Sequence, residues 1–392
     1  MKGIGEVSRL FLVLGLTAFG GPNAHLALFQ RELVERRGFL GPAAYAELVA
    51  LCQFLPGPAS SQVAIGLGTY RAGPAGGLAA WLAFTLPSAL AMIAFAYGVA
   101  RLAPGDAGWI HGLKGAALAI VAQAVWDMGH RLAPDWPRRA IAALTAAAML
   151  LWHTPAAQLA VLAAAGAAGA ALFDPPRAGA GDRLPAPIPV RAGLVCLALF
   201  FALLLLLPAA RAVTGDPWLA QLEAFYRVGS LVFGGGHVVL PLMEARVVGA
   251  GWVNRDEFLA GYGAVQAMPG PLFSFAAYLG AASRVGPGGL AGGLAALAAV
   301  YLPSFLLLFG ALPLWERLRR LRLARAALTG LNAAVVGLLA AALYDPLWRE
   351  AVRGPFDFLL ALAALAALTR GRWPPWLVVI AAGTAGGVRD LV

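Results

Sequence analysis

Long apolar runs separated by short polar loops follow one another along almost the whole chain. A helix needs about 17 to 25 residues to cross hydrocarbon about 30 Å thick, and many of these runs approach that length. In lipid, backbone polar groups must be satisfied internally, which favours helices. The pattern therefore predicts an all-α polytopic membrane protein with no large soluble domain.

The pattern occurs twice. Three motifs recur in the same order: "QFLPGP" at 53–58 and "QAMPGP" at 266–271, "FGG" at 19–21 and 233–235, and "TLPS" at 85–88 with "YLPS" at 301–304. A period of this length indicates duplication. We predict a first repeat at 1–174, a linker with an unrepeated helix at 175–211, and a second repeat at 212–392.

Each repeat is expected to contain a short first helix, a proline-broken segment, a long helix, a fourth helix and two short ones. The predicted pairs are 8–21 and 225–235, 43–70 and 256–283, 75–101 and 288–312, 111–131 and 326–345, 139–151 and 356–369, and 156–173 and 375–388. The unrepeated helix is expected at about 191–208.

The number of crossings decides how the repeats are oriented. If each broken segment crosses once, there are about 13 transmembrane segments, and the unrepeated helix inverts the second copy. This arrangement puts 18 of the 29 Lys and Arg residues on the N-terminal face. The positive-inside rule then predicts a cytoplasmic N-terminus and a periplasmic C-terminus. Alternatively, the broken segment is a re-entrant hairpin, and the copies are parallel.

Composition excludes several functions. Charged residues make up 12% of the chain, and the net charge of +10 comes from loops between apolar runs. We therefore predict contact with membrane lipid and no nucleic acid partner. The arginine-rich loop at 317–325 is expected to be first a signal for cytoplasmic orientation and only secondarily a contact with anionic lipid. Cys52 and Cys196 lie far apart in apolar surroundings. This spacing indicates neither a disulfide framework nor a zinc site, and no cofactor is expected.

The proline breaks are the strongest functional signal. Proline interrupts helical hydrogen bonding, and in a membrane a broken helix is tolerated where it is buried in protein or lines a cavity. The N–H groups that start the second half-helix suit an anion. Ser60, Ser61 and Gln62 follow the first break, whereas Phe273 and Ser274 follow the second. We expect the first copy to contribute more to anion binding; a simple packing kink is the alternative.

The predicted substrate site joins the proline breaks to the glycines that end each first helix. Its members are Gly20, Gly21, Asn23, Gln53, Pro56, Gly57, Pro58, Ser60, Ser61, Gln62, Gly234, Gly235, Gln266, Pro269, Gly270, Pro271 and Ser274.

Charged and titratable residues are also paired between the copies. Arg71 and Arg284 are candidates for anion attraction or gating, because guanidinium groups suit oxyanions; loop arginines that set orientation are the alternative. The candidates for proton coupling are His25, Glu32, His237, Glu244, Asp127 and Asp345. The alternative is that these six are ordinary interfacial residues.

The motifs "FGGPNAH", "FLPGP", "FGGGHVVLPL" and "MPGP" resemble those of the chromate ion transporter family in its long, two-domain form. The resemblance covers nearly the whole chain. It implies export of chromate across the bacterial inner membrane, chromate resistance, inverted halves, and sulfate as an analogue or counter-substrate.

No nucleotide-binding loop is present, so we expect a secondary transporter driven by an ion gradient or by anion exchange. A sulfate or other oxyanion transporter of the same fold is one alternative. A membrane-embedded enzyme is another, although the sequence has no GxSxG or HExxH motif. The small residues of 160–172 allow close helix packing within one chain or in a homodimer.

Overall fold

The computed structural model describes residues 2–102, 107–152, 154–175, 184, 187–233 and 236–389. Within these ranges all regular structure is helical. The first copy contains α1 (Lys2–Thr17), α2 (Gly21–Phe29), α3 (Pro42–Phe54), α4 (Ala59–Leu102), α5 (Gly108–Leu132), α6 (Trp136–Leu151) and α7 (Pro155–Leu172). Helix α8 (Val190–Thr214) follows.

The second copy has shorter pieces. It contains α9 (Pro217–Leu231), α10 (Val239–Val247), α11 (Arg255–Val265), α12 (Phe275–Ala282), α13 (Gly289–Ala311), α14 (Trp315–Leu318), α15 (Arg322–Ala342), α16 (Arg349–Ala351), α17 (Pro355–Thr369) and α18 (Pro375–Arg389). Single π-helical turns, Gln30–Glu35 and Leu343–Trp348, extend α2 and α15. The predicted elements agree with these bounds to within several residues, but helices α2 and α10 were not predicted.

Local sequence explains where several helices begin and bend. Asp135 and Thr154 cap α6 and α7 by accepting backbone hydrogen bonds, and Asn254 forms a capping box with Glu257 at the start of α11. Helix α4 is interrupted at 72–73, where the backbone is not helical, so it has a first arm at 59–71 and a second arm at 74–102. This interruption matches the predicted boundary between the broken segment and the long helix.

The first copy begins with two helical hairpins. In the first hairpin, α1 and α2 lie side by side, since the Phe11 and Phe29 rings are 5.7 Å apart. In the second hairpin, α3 and the first arm of α4 fold back on each other. The Arg71 guanidinium lies 5.2 Å from the Phe39 ring and 2.7 Å from Glu6. Both hairpins therefore start and finish at the same end of the molecule.

The second copy repeats this arrangement. Arg246 on α10 reaches Glu223 on α9 at 3.8 Å, so these helices form a first hairpin. The Tyr278 hydroxyl on α12 donates to the Glu257 carbonyl on α11 at 2.7 Å, which closes a second hairpin. We call residues 19–21 and Phe233 the glycine tips, since residues 234–235 lie outside the described ranges, and residues 56–58 and 269–271 the proline tips.

The hairpins bear on how many times the chain crosses the membrane. The count of 13 treated each proline-broken segment as a single crossing, but its two arms lie side by side rather than end to end. The re-entrant alternative describes this geometry. The first helix of each copy was also counted as a crossing. In the structure α1 pairs with α2 and α9 pairs with α10, and each pair forms a separate hairpin. Glycine permits the tight reversal at these tips.

The remaining helices are exchanged between the copies. Helix α5 of the first copy packs against α17 and α18 of the second, while α15 packs against α6 and α7 of the first. Gly112 lies against the Ala382 carbonyl, and Gly330 lies in the same way against the Ala165 carbonyl. Small residues permit this close backbone approach, as in other membrane helix pairs. The two copies are therefore interlocked.

The surface is that of a membrane protein. Five helical stretches of the described residues are long and apolar enough to cross a bilayer: Ala59–Arg101, Pro155–Leu172, Val190–Thr214, Gly289–Leu318 and Arg322–Ala351. Helix α8 is the least covered, with only 11% of its most apolar window buried. Its exposed Leu205 and Phe201 side chains present an apolar face suited to lipid.

Candidate functional site

Each proline tip lies against the chain segment that leads into the glycine tip of the other copy. The Gly57 N–H donates to the Val232 carbonyl at 2.7 Å, and the Gly270 N–H donates to the Ala18 carbonyl at 2.8 Å. Val232 and Ala18 come just before the glycine tips. Each proline tip is thus held by the glycine tip of the other copy, which satisfies backbone groups that the helix breaks leave free.

Glycine is required at the middle of both proline tips. Gly57 has φ +120° and Gly270 has φ +96°, a region that other residues rarely adopt. A Cβ on Gly57 would come within 2.7 Å of Ser304 Oγ, and one on Gly270 within 3.0 Å of Ser88 Oγ. Ser304 and Ser88 are themselves equivalent residues of the "LPS" motifs. Each tip therefore packs against the long helix of the other copy.

A cavity of about 630 Å³ lies beside the tips. Its volume is in the usual range for small-molecule sites. Seven residues of the predicted substrate site line it: Gly20, Gly21, Asn23, Gln53, Gly57, Gln266 and Gly270. Both copies thus contribute glycine backbone and an amide side chain to one cavity.

The polar residues behind the first proline tip do not line this cavity. Ser60 Oγ lies 3.4 Å from His25 Nδ1, Ser61 Oγ lies 3.2 Å from the Tyr301 hydroxyl, and Gln62 Nε2 donates to the Pro56 carbonyl at 2.8 Å. All three are buried. In this structure they hold the tip in place.

Other predicted members lie near the cavity but outside its lining. These are Pro56, Pro58, Pro269, Pro271 and Ser274. Ser274 is fully buried, and its hydroxyl has no hydrogen-bond partner among the described residues. Gly234 and Gly235 fall outside the residues that the structure describes.

The paired histidines occupy different positions. His25 is buried behind the first glycine tip, and its Nε2 lies 3.2 Å from the Ala18 carbonyl. His237 lines the cavity, and its Nδ1 lies 3.0 Å from the Tyr262 hydroxyl. Only the second histidine is therefore placed to meet a cavity ligand.

The paired glutamates lie outside the five candidate spans and differ in charge environment. Hydrogen bonding from Arg37, with further support from Arg36, lowers the pKa of Glu32. Burial raises the pKa of Glu244 to about 7, although Arg255 opposes this shift. Neither residue is among those that line the cavity.

The aspartates at the ends of α5 and α15 also differ. Asp127 lines the cavity, whereas Asp345 accepts a hydrogen bond from Arg349 at 2.7 Å. The arginines expected to attract anions lie elsewhere. Arg71 pairs with Glu6 at 2.7 Å and Arg284 with Glu257 at 3.0 Å, so each fastens the end of a second hairpin.

Sequence analysis missed four polar residues of the lining. Gln123 and Arg131 come from α5, Asn332 comes from α15, and Arg372 lies between α17 and α18. The loop position of the arginines suggested only a role in membrane orientation. Gln123 and Asn332 were detectable as amides within apolar runs, where polar residues are costly.

The lining is typical of an anion or polar solute site rather than a metal centre. Among the described residues no group of three or more His, Cys, Asp or Glu side chains could hold a metal ion. The cavity instead offers amides, glycine backbone and two guanidinium groups, with one carboxylate and one imidazole.

Comparison with known proteins agrees with this chemistry. The family model described as Chromate transporter matches residues 5–170 and 219–387. A chromate transport protein of Pseudomonas aeruginosa is 29% identical, over 96% of this chain and 90% of that protein. One from Cupriavidus metallidurans is 28% identical, over 93% of this chain and 88% of that protein. No solved structure gives a significant match.

Proposed function

This chain belongs to the chromate transporter family, and on that basis we propose that it is a secondary active transporter that exports chromate across the bacterial inner membrane, giving chromate resistance. The observation that carries the proposal is the central cavity, where the re-entrant tips of both copies meet. Discontinuous helices that meet around a cavity are typical of substrate sites in transporters built from repeats.

The lining suits an oxyanion. Gln53, Gln123, Gln266 and Asn332 provide amide N–H donors, and Gln266 Nε2 has no partner among the described residues. Chromate is a tetrahedral dianion that accepts several hydrogen bonds. Sulfate has the same shape and charge, so it is the natural competitor or counter-substrate.

We propose nine full crossings in place of the 13 first counted. Each re-entrant hairpin returns to the face that it left, so each copy contributes four crossings, and α8 adds one. The second copy is then inverted, with the N-terminus cytoplasmic and the C-terminus periplasmic. Arg31, Arg36 and Arg37 join the cytoplasmic face, and Arg246 and Arg255 leave it. That face then has 19 of the 29 basic residues, in keeping with the positive-inside rule.

The coupling ion is proposed to be the proton. Of the six titratable candidates, Asp127 and His237 line the cavity. Groups that can change charge beside the substrate are suited to linking proton movement with anion movement.

Transport in inside-out membrane vesicles tests the proposal. Energised vesicles are expected to accumulate labelled chromate, and a protonophore is expected to abolish this uptake. Gln123→Leu and Asn332→Leu should each reduce uptake about ten-fold, whereas Gln30→Leu, on the exposed surface, should not. Vesicles that accumulate sulfate but not chromate would reassign the substrate. Vesicles that accumulate neither would overturn the export proposal.

Cysteine labelling tests the topology. With Cys52 and Cys196 replaced by Ser, single cysteines are introduced at Trp136 and Phe356, two exposed positions. A membrane-impermeant maleimide added to intact spheroplasts should label the cysteine at 356. The cysteine at 136 should react only after permeabilisation. Labelling of both positions from the same side would contradict nine crossings.

A further inference from the structure

Two cavity arginines come from different copies of the repeat. Arg131 lies in the last turn of α5, and Arg372 lies in the short connection between α17 and α18. Both line the central cavity and both are solvent-exposed, so they mark the place where the cavity reaches the surface. Within the described ranges neither has a hydrogen bond or an ion pair with the protein.

The equivalent of Arg131 in the second copy shows what such an arginine does when no ligand site is nearby. Aligning "GLKGAALAIVAQAVWD" with "GLNAAVVGLLAAALYD" pairs Asp127 with Asp345 and Arg131 with Arg349. Arg349 Nη1 donates to Asp345 Oδ2 at 2.7 Å, one turn away along the chain. Arg131 has the same neighbour at the same spacing, yet its guanidinium is left unpaired beside the cavity.

The backbone at Arg372 gives an independent indication. Its φ of +52° is the only positive value among the non-glycine residues that the structure describes. Such a conformation is unfavourable for a residue with a Cβ. Strained residues of this kind cluster at ligand sites, where the surrounding structure maintains them. Here the strain accompanies the placement of a cationic side chain at the cavity entrance.

We propose that Arg131 and Arg372 form the entry site for a tetrahedral oxyanion with two negative charges. This inference rests on the proposed function for the identity of the anion, but not for the existence of the site. Guanidinium groups present paired N–H donors that match oxyanion oxygens, and two of them balance the charge of a dianion. The anion then passes inward to the amides of Gln123 and Asn332.

Asp127 is the competitor of the anion for Arg131. The pair formed by Asp345 and Arg349 shows that this spacing permits a direct ion pair. An anion in the entry site must therefore hold Arg131 away from Asp127. Neutralising Asp127 should strengthen anion binding rather than weaken it, which a purely structural role for the carboxylate would not produce.

Binding measurements on the purified protein in detergent test the entry site. Titration calorimetry with chromate, sulfate and nitrate compares the wild type with Arg131→Gln, Arg372→Gln, Asp127→Asn and the matched control Arg349→Gln. Arg131→Gln and Arg372→Gln are each expected to raise the Kd for the dianions about ten-fold and to affect nitrate less. Asp127→Asn should lower the dianion Kd several-fold, and Arg349→Gln should change it less than two-fold.

Further variants separate binding from folding. Arg131→Lys keeps the charge and loses the planar fork, so its Kd should fall between those of the wild type and Arg131→Gln. Each variant should elute as the wild type does in size-exclusion chromatography. Unchanged Kd values in both cavity variants, or a wild type that binds none of these anions, would overturn the entry site. Arginine-dependent binding of sulfate without chromate would keep the site and contradict only the chromate assignment.

Discussion

The ends of α5 and α15 are equivalent in sequence but opposite in state. At the end of α5, Asp127 and Arg131 line the cavity, and Arg131 has no ion pair with any residue that the structure describes. At the end of α15, the corresponding residues form an ion pair at 2.7 Å. The equivalent aspartate and arginine thus line the cavity in the first copy and form an ion pair with each other in the second copy.

The copies also differ in buried charge. Lys114 on α5 is buried and pairs with Asp256 of the second copy at 2.5 Å. The position equivalent to Lys114 on α15 is occupied by Asn332, which lines the cavity instead. The second copy therefore contributes an uncharged donor where the first copy has an interlocking ion pair.

The largest expected effect comes from the proline tips. Gly57→Ala should lower stability by about 3 kcal/mol, because a left-handed φ and a close contact with Ser304 both oppose a Cβ. Gly270→Ala should cost about 2 kcal/mol, since its nearest contact is longer. Thermal unfolding in detergent measures both. Gly98→Ala, in open space on α4, is the control. Equal losses at all three positions would contradict the role of the tips.

The interlocking ion pair should have the next largest effect. Asp256→Ala leaves the buried Lys114 ammonium unpaired and should cost about 2 kcal/mol, less than a fully buried pair because Asp256 is 43% exposed. Adding Lys114→Met to Asp256→Ala removes the uncompensated charge. The double variant should therefore recover most of the thermal stability that Asp256→Ala loses. A double variant no more stable than Asp256→Ala would show that the pair is not the cause.

Glu244 and Glu32, the paired glutamates of the two copies, should change the stability of the protein with pH in opposite directions. The pKa of Glu244 is raised to about 7, so its contribution to stability is complete below its usual pKa and is lost as pH rises towards 7. Charged groups from three segments, Arg255, Asp345 and Glu350, surround it. Glu244→Gln should therefore raise the thermal midpoint by about 3 °C at pH 8 and leave it unchanged at pH 4.

Glu32 should show the opposite sign. Its pKa is lowered, so its contribution is present near neutral pH and is lost as pH falls through the acid range. Glu32→Gln should slightly lower the thermal midpoint at pH 8 and have no effect at the lowest accessible pH. If the thermal midpoints of Glu244→Gln and Glu32→Gln depended on pH in the same way, the proposed contrast between the two copies would be wrong.

The smallest effects are expected at the hairpin ends. Arg71→Gln and Arg284→Gln each break an exposed ion pair, and such pairs contribute about 0–1 kcal/mol. Chromate uptake into vesicles should stay within two-fold of wild type for both. A ten-fold loss of chromate uptake in either variant would show that the substituted arginine takes part in transport.

The sequence predicted the helical class, and seven residues of the predicted substrate site line the cavity. Gly57 and Gly270 were identifiable because a PGP break in an apolar run has few tolerable places, and its duplication points to a shared site. The hairpins were harder to recognise. Their signal is length, since the predicted first helix at 8–21 is shorter than a full crossing requires.

Contacts between the copies could not be predicted from the pattern. The bond from Gly57 to Val232 joins residues far apart in the chain, and periodicity does not reveal which tip meets which. The same reasoning applies to the three polar residues after the first break. Ser60 was expected to face the anion because it follows the break, whereas in the structure it is buried and its hydroxyl lies 3.4 Å from His25 Nδ1.

The crossed bonds at the tips also constrain how the protein is made. When the first copy enters the membrane, the Gly57 N–H has no acceptor, because the Val232 carbonyl belongs to a segment that the ribosome has not yet synthesised. The first half therefore remains in the bilayer as an incompletely folded intermediate. Biogenesis is completed only when the second half inserts, and a chain truncated after α8 should be a substrate for membrane proteases.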